Sequence, residues 1–246
     1  MKQPIWTQSY DVNTLVLDHR RQLGLVGLLK ILQDAAWIHA RHLDHGYEAM
    51  LEHGTLWVLT RFKLVIDEWP RWGDAIAIRT WVRPPVGPLA NRDYEILAAD
   101  GRKLGEATAA WLTLDATTRR PLRLTLGEGA LAVREDGALD LAPAKLAPRP
   151  DLPVLATVPA RLSDLDVNGH VNNVCYAAWI LDALPAETYE TEILRDYEIA
   201  FLGESRLGDV VRLEGTTDGP GQRWFQALRD SDGKPVFAAR LGSVPG

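Results

Sequence analysis

Two segments of the chain carry apolar residues at the spacing of a buried or half-buried helix. The first lies between Gly24 and Leu43, and the second runs from Val174 to Leu184, where Pro185 would end it. The apolar positions of the first segment are Leu25, Leu28, Leu29, Leu32, Ala36 and Ile38. Both segments contain Ala-Ala-Trp-Ile, at 35–38 and 177–180. The pattern therefore predicts two similar helices.

Each predicted helix is followed by segments typical of antiparallel strands. Residues 62–82 and 197–215 each predict a strand, a bend at an Arg-x-Gly-Asp turn, and a second strand with alternating apolar residues. Residues 94–114 and 224–244 each predict a hairpin around an Asp-Gly pair, because both residues tolerate positive φ. Each half of the chain is thus one helix followed by several strands.

These three features recur in the same order, with offsets of 142, 135 and about 132 residues. Chance similarity of two α+β units is the alternative, and the shared order argues for duplication. The order is not a βαβ alternation, which disfavours a doubly wound parallel sheet. A long helix wrapped by an antiparallel sheet is the hot-dog plan, so the sequence predicts an α+β double hot-dog.

The stretch between the two halves is rich in Pro, Ala, Leu and Gly, which is typical of an extended linker. We therefore expect an N-terminal hot-dog domain over 1–125, a linker over 126–154 and a C-terminal hot-dog domain over 155–246.

Composition removes several classes of function. The net charge of -6 makes nucleic acid or an anionic membrane an unlikely general partner, and a single cysteine excludes an internal disulfide and a multi-cysteine zinc site. The first residues lack a signal-peptide core, and no apolar run is long enough for a membrane span. The expected location is the cytoplasm. The nine Trp residues fit either an aromatic core or an apolar ligand tunnel.

The lead-in to the second helix is the main candidate for chemistry. Asp166, Asn168 and His170 stand at alternate positions, and in an extended segment such side chains share one face. Unpaired N–H groups at a helix start can stabilise an oxyanion, and an imidazole can transfer a proton near neutral pH. The competing interpretation is simple helix capping, which we favour for Asn172 and Asn173.

Glu204 is the second candidate, because the repeat aligns it with Trp69 of the first half. A carboxylate replaces an aromatic residue at this position, although a solvated turn residue is an equally simple explanation.

At these residues the sequence resembles the acyl-acyl-carrier-protein (acyl-ACP) thioesterases. The matching segments are "LWVLTRFKLVIDEWPRWGDAIAIRTWV", "NRDYEI", "ATAAWLTLDATTRRP" and "DLDVNGHVNNVCYAAWILDALP". The likeness covers most of the chain, and the "GHVNN" piece alone is shared with hot-dog acyl-CoA thioesterases. Asn91 and Tyr94 depart from the family's Arg and Trp.

The resemblance implies a double hot-dog whose C-terminal half hydrolyses the thioester of fatty acyl-ACP, releasing fatty acid and holo-ACP without a metal or cofactor. It assigns catalysis to Asp166, Asn168, His170 and Glu204. Asp166 would be nucleophile or general base, and Glu204 would position or activate water. His170 and Asn168 would orient Asp166 and polarise the reacting groups. The N–H groups near Val171 and Asn172 would hold the oxyanion.

The segment "FLGES" matches the family's Tyr-x-x-Glu-Cys, so Phe201 stands for the Tyr and Ser205 for the Cys. A cysteine-nucleophile mechanism therefore fits poorly, and Cys175 lies within the predicted helix instead. The absence of a plant-type transit peptide suits a bacterial cytoplasmic enzyme.

Two other functions compete with this interpretation. An acyl-CoA thioesterase would use the same chemistry on another carrier, and a non-catalytic acyl- or carrier-binding module would have no use for the four polar residues. The family places much of the chain-length control in the N-terminal half, so the acyl pocket is expected there. Since ACP is acidic, Arg119, Arg120 and Arg123 are candidates for docking it, and a solvated basic turn is the competing interpretation, which we favour for any single one of them. The protein would be a monomeric pseudo-dimer or a homodimer.

Overall fold

The computed structural model of the chain describes residues 3–123 and 134–246. The chain divides into two compact units, Met1–Pro143 and Ala144–Gly246. The boundary falls inside the predicted linker 126–154, of which residues 126–133 lie outside the described residues. The predicted domain limits therefore stay a prediction.

The N-terminal unit is a helix packed on an antiparallel sheet. Its elements are β1 (Ile5–Asp11), α1 (Leu25–His42), α2 (Tyr47–Glu52), β2 (Thr55–Ile66), β3 (Ala75–Val82), β4 (Leu89–Ala98) and β5 (Lys103–Asp115). The strands lie in the order β1-β3-β4-β5-β2, and each pair is antiparallel. The buried face of α1 includes Leu25, Leu28 and Leu32, as the apolar spacing predicts.

The C-terminal unit repeats this plan. Its elements are β6 (Val154–Pro159), a 3-10 turn (Leu162–Asp164), α3 (Asn173–Asp182), α4 (Ala186–Thr191), β7 (Glu192–Phe201), β8 (Val210–Gly219), β9 (Gln222–Arg229) and β10 (Pro235–Pro245). The order β6-β8-β9-β10-β7 is the order of the first unit, strand for strand. The Tyr176 ring of α3 packs on Phe201 and Phe237, at centroid distances of 6.1 and 5.2 Å.

The predicted helices, hairpins and duplication are confirmed, but one repeat anchor is wrong. Ala-Ala-Trp-Ile lies at different depths in the two helices, since Ala35 is the eleventh residue of α1 and Ala177 is the fifth of α3. The two Trp residues also differ, because Trp37 is 45% exposed and Trp179 only 7%. The shared tetrapeptide therefore does not fill equivalent parts of the two cores.

The Gly-Asp turns are equivalent in both units. Gly73 and Gly208 have φ values of 89° and 88°, a left-handed conformation that glycine adopts at no steric cost. In each turn the following Asp, Asp74 or Asp209, accepts the backbone N–H of the Arg three residues earlier, at 2.7 and 2.8 Å. The turns thereby fix the residues just before them, including Glu204. No described helix has both the length and the apolar character needed to cross a membrane.

Candidate active site

The lead-in to α3 is a tight turn and not an extended segment. The N–H of Asp166 donates to the carbonyl of His170 at 2.8 Å, and the N–H of Gly169 donates to the backbone carbonyl of Asp166 at 3.0 Å. Gly169 makes this reversal with a φ of 72°. The expectation that alternate side chains share one face of an extended strand is therefore wrong, because the backbone reverses between Asp166 and His170.

The Asp166 carboxylate holds this turn together. Its Oδ1 accepts the N–H groups of Asn168 and His170, at 2.8 and 3.3 Å. Oδ2 accepts no hydrogen bond from the described residues, so this oxygen is the one available to a substrate or a water. The two carboxylate oxygens thus have separate roles, one structural and one open.

The start of α3 is capped as the sequence predicts for Asn172. The side-chain Oδ1 of Asn172 accepts the N–H of Val174 at 3.0 Å. Asn173 is the first helical residue, and its side chain makes no capping bond in this part of the chain.

The predicted oxyanion donors are wrong. The N–H of Val171 donates to the carbonyl of Ser205 at 2.8 Å, and the N–H of Asn172 donates to the carbonyl of Asp164, also at 2.8 Å. Both groups are satisfied by the backbone and cannot bind a ligand. Among the described residues, the N–H of Asn173 at the helix start has no such acceptor, which makes it the remaining candidate donor.

His170 and Glu204 face each other across two segments. His170 forms an isolated antiparallel bridge with Arg206, and this bridge brings the two segments together. The Nε2 of His170 lies 3.2 Å from Oε2 of Glu204, and the Arg206 guanidinium lies 3.7 Å from the same oxygen. The His170 side chain is only 18% exposed and that of Glu204 is 45% exposed. An imidazole beside a carboxylate at a half-open surface can move a proton to or from a reacting group.

Asn168 is the candidate that the structure does not bring into this cluster. The residue is exposed, and it contacts Asp166 through its backbone N–H. In the region that the structure describes, its amide side chain forms no hydrogen bond with Asp166, His170 or Glu204. The structure thus pairs the side chains of His170 and Glu204, whereas the Asp166 carboxylate contacts the backbone of the turn and Asn168 is exposed.

Neither candidate for a Cys- or Ser-type nucleophile is placed for attack. Ser205 is 0% exposed, and its carbonyl is occupied by Val171. Cys175 lies inside α3, and its Sγ is 3.6 Å from the carbonyl of Asp164. The part of the chain that the structure describes also contains no group of three or more His, Cys, Asp or Glu residues that could hold a metal ion.

The N-terminal unit contains a second copy of this turn that the sequence pattern did not show. Asp18 donates its N–H to the carbonyl of Gln22 at 2.9 Å, and its Oδ1 accepts the N–H groups of Arg20 and Gln22 at 2.9 and 3.4 Å. Arg21 takes the left-handed conformation of Gly169, with a φ of 59°. Asp18 is thus the counterpart of Asp166.

The surrounding backbone is equivalent as well. Leu23 donates to the carbonyl of Pro70 at 2.7 Å, as Val171 does to that of Ser205. Gln22 bridges Arg71, as His170 bridges Arg206. These contacts make Trp69 the equivalent of Glu204, in agreement with the sequence alignment.

The two copies differ in the side chains that they present. Gln22 takes the place of His170, Trp69 that of Glu204, and Arg20 that of Asn168. The Asp is present in both. The imidazole and its carboxylate partner are therefore the features that distinguish the C-terminal copy.

Family comparison gives matches in both units. The acyl-ACP thioesterase N-terminal domain matches residues 3–127, and the C-terminal domain of the same family matches residues 153–231.

Curated relatives include a chloroplastic acyl-acyl-carrier-protein hydrolase of Cuphea viscosissima, 26% identical over 95% of this chain. Another is a chloroplastic palmitoyl-acyl carrier protein thioesterase of Arabidopsis thaliana, 28% identical over 85% of this chain. The chain spans 61% and 54% of the lengths of these two relatives.

Among solved structures, an acyl-ACP thioesterase from Bacteroides thetaiotaomicron superposes with a TM-score of 0.91 and 25% identity, covering 98% of both chains. The 12:0-ACP thioesterase from Umbellularia californica gives 0.89 at 20% identity, covering 100% of this chain and 99% of that one. The second likeness concerns the fold alone. The predicted α+β double hot-dog is confirmed.

Proposed function

Because the chain belongs to the acyl-ACP thioesterase family, we propose that it hydrolyses the thioester of fatty acyl-ACP, releasing free fatty acid and holo-ACP. In this role it ends fatty-acid chain elongation. The observation that carries the proposal is the pairing of His170 with Glu204, at 3.2 Å, on a turn whose N-terminal copy has Gln22 and Trp69 instead. A module that only binds acyl chains has no need for this pair.

The chemistry divides among three side chains. Glu204, steadied by His170, positions a water and takes its proton as the oxygen attacks the thioester carbonyl carbon. The proton that Glu204 accepts passes to Nε2 of His170, 3.2 Å away, and from the imidazolium to the departing thiolate, so that carbon–sulfur cleavage leaves the carrier's thiol. Asp166 Oδ2 is the alternative attacking or proton-accepting atom, and which of the two carboxylates acts stays open.

The negative charge that develops on the carbonyl oxygen needs a donor. The N–H of Asn173 is at the first position of the ten-residue helix α3, where the backbone dipoles favour negative charge. We assign the oxyanion contact to this group, in place of Val171 and Asn172. Asn168, exposed at the tip of the turn, orients the substrate or water from the solvent side in this scheme.

ACP is the proposed partner, and an acidic carrier requires cations on the enzyme. Arg119, Arg120 and Arg123 follow β5 and are all exposed. In the described parts of the chain, these three guanidinium groups form no ion pair. They are available for docking, in support of the assignment made from the sequence.

The acyl tail is proposed to lie in the N-terminal unit, against the apolar side chains of α1 and its neighbouring strands. The expected cytoplasmic location, and the choice between a monomeric pseudo-dimer and a homodimer, stay predictions.

The test is a panel of acyl-ACPs of graded chain length with acyl-CoAs of the same lengths alongside. The expected result is hydrolysis with a higher kcat/KM on acyl-ACP than on the matched acyl-CoA. A higher kcat/KM on acyl-CoA would make the protein an acyl-CoA thioesterase instead. Tight acyl-ACP binding without release of fatty acid would make it a binding module.

A further inference from the structure

Arg229 binds the main chain of Glu204. Its Nη2 donates to the carbonyl oxygen of Glu204 at 2.6 Å. The same guanidinium lies 3.5 Å from the carboxylate of Asp209 and 3.3 Å from that of Asp232. Its side chain is 24% exposed, and that of Asp209 is 26% exposed. A charge-assisted hydrogen bond of this length is a strong restraint on the carbonyl.

The carbonyl of the next residue, Ser205, is also restrained. Ser205 accepts the N–H of Val171, which belongs to the segment that carries His170. Gly203, just before Glu204, packs so closely on Pro235 that an added Cβ would lie 2.7 Å from its carbonyl oxygen. Glu204 is therefore held on both flanks, and Arg229 supplies the contact to its own peptide group.

The N-terminal unit is an internal comparison for this contact. In the C-terminal sheet Arg229 pairs with Val211, and in the N-terminal sheet Ala98 pairs with Ile76 at the equivalent register. The turn hydrogen bonds around the two sites are otherwise matched, including that of Asp74 and that of Asp209. An Arg is present in the unit whose turn carries Glu204, and an Ala is present in the unit whose turn carries Trp69.

We propose that Arg229 is a positioning residue for Glu204, holding its peptide group so that the carboxylate meets His170. The inference rests on the proposed thioesterase function. Arg229 does not touch the reacting atoms, since its partner is the backbone carbonyl of Glu204. Its effect is on the geometry of the pair, and catalysis is sensitive to displacements of this kind.

The experiment compares Arg229→Met, Arg229→Lys and a matched control, Arg223→Met. Arg223 lies on the same strand, β9, is 14% exposed, and pairs with Glu192 at 2.7 Å without contacting Glu204. With acyl-ACP, Arg229→Met should lower kcat by about 10²-fold while KM changes by less than about threefold. Lysine retains a donor and should restore part of kcat, whereas Arg223→Met should keep kcat near the wild-type value.

Combination with Glu204→Gln separates positioning from a general loss of structure. If Arg229 acts through Glu204, Arg229→Met should lower kcat little further in the Glu204→Gln background, because the two changes affect one unit. A full additional loss in that background, or a wild-type kcat in folded Arg229→Met, would overturn the inference while the proposed function stood.

A second measurement does not depend on turnover. The ¹⁵N chemical shift of His170 Nε2 reports its contact with Glu204, and it should move in Arg229→Met but not in Arg223→Met. An unchanged shift in Arg229→Met would also overturn the inference. If the wild-type protein hydrolyses no acyl-ACP, the proposed function fails, and this shift still tests whether Arg229 places Glu204.

Discussion

The Nε2 atom of His170 and the Oε2 atom of Glu204 lie 3.2 Å apart, although they belong to separate segments of the C-terminal unit. One segment is the turn before α3, and the other follows β7. The His170–Arg206 bridge brings them together. The contact therefore depends on long-range pairing of the backbone, and the role of each residue can be tested by its own substitution.

Replacement of Glu204 by Gln should abolish most hydrolysis. The amide keeps the shape of the side chain but cannot accept a proton from water, so kcat on acyl-ACP should fall by about 10²- to 10⁴-fold. Steady-state kinetics and the thermal midpoint would be measured together. Glu190→Gln, an exposed change on α4, is the control. Activity close to wild type in folded Glu204→Gln would remove Glu204 from the mechanism.

Asp166 can be separated from its turn by comparison with Asp18. Both carboxylates accept the same pair of backbone N–H groups, so Asp18→Ala and Asp166→Ala should each lower the free energy of unfolding by about 2 kcal/mol. Only Asp166→Ala should also lower kcat. Denaturant unfolding and kinetics of the two variants would measure this difference.

Asp166→Asn sharpens the distinction, because an amide oxygen can still accept the two N–H groups. It should therefore keep most of the stability and lose kcat by at least about tenfold, since Oδ2 no longer carries charge. If Asp166→Asn hydrolyses acyl-ACP at the wild-type rate, Asp166 serves the turn alone, as Asp18 does.

Ser205 and Cys175 should both be dispensable for the reaction. Ser205 is 0% exposed and Cys175 is held in α3 near the carbonyl of Asp164. Ser205→Ala and Cys175→Ser should retain kcat within about fivefold, whereas loss of a covalent nucleophile costs several orders of magnitude. Iodoacetamide, which alkylates accessible thiols, should leave hydrolysis intact. A large loss in either variant, with folding preserved, would restore a covalent mechanism.

Local sequence patterns were sufficient to predict most of the fold. Apolar spacing located α1 and α3, and the Asp-Gly and Gly-Asp pairs located the hairpins and turns, because these signals depend on neighbouring residues. The duplication was also visible, since the turns recur in the same order at offsets of 135 and about 132 residues.

The site was predictable only in part. Glu204 could be selected because a carboxylate replaces Trp69 between the copies, and His170 because it lies in the polar lead-in to the second helix. Their contact depends on long-range pairing. The Asp18 turn was missed because the repeat was aligned on Ala-Ala-Trp-Ile, whereas α1 has six more residues than α3 before that tetrapeptide. Arg229 was missed since its partner is a backbone carbonyl, for which no sequence pattern exists.

Charge reversal of Arg119, Arg120 and Arg123 should weaken carrier docking. The triple change to Glu should raise KM for acyl-ACP by about tenfold, because a like-charged surface would face the acidic carrier. KM for an acyl-CoA of equal chain length should change much less. Kinetics on both substrates would measure the ratio of the two KM values. For the wild-type protein, raised salt should bring the two KM values closer together, because ions screen the attraction between enzyme and carrier.

A matched control variant carries the same change in net charge at another place in the N-terminal unit. Arg21, Lys30 and Arg71 are exposed, and their reversal should leave the ratio of the two KM values near that of the wild type. An equal rise in KM for both substrates on reversal of the first three arginines would exclude them as a docking surface.

The N-terminal unit also contains a buried histidine with defined partners. His39 is 0% exposed, its Nδ1 lies 2.9 Å from Arg92 Nη1, and its Nε2 lies 3.0 Å from the carbonyl of Gln3. Since Arg92 can only donate, Nδ1 accepts and Nε2–H donates, which is the arrangement of a neutral ring. Burial, and then the positive charge of Arg92, lower the pKa of His39 to about 4.

This histidine predicts how stability depends on pH. Because the pKa of His39 is about 4 in the folded protein, below the ordinary value of 6.5, the unfolded chain binds the extra proton between these two pH values. Its contribution to stability is therefore fully present above pH 6.5 and is lost as the pH falls towards 4, by an amount on the order of 3 kcal/mol. His39→Gln, which cannot be protonated in this range, should lose that part of the slope. Denaturant unfolding of both proteins between pH 4 and 7 would measure the difference, and parallel curves would show that His39 is not the titrating group.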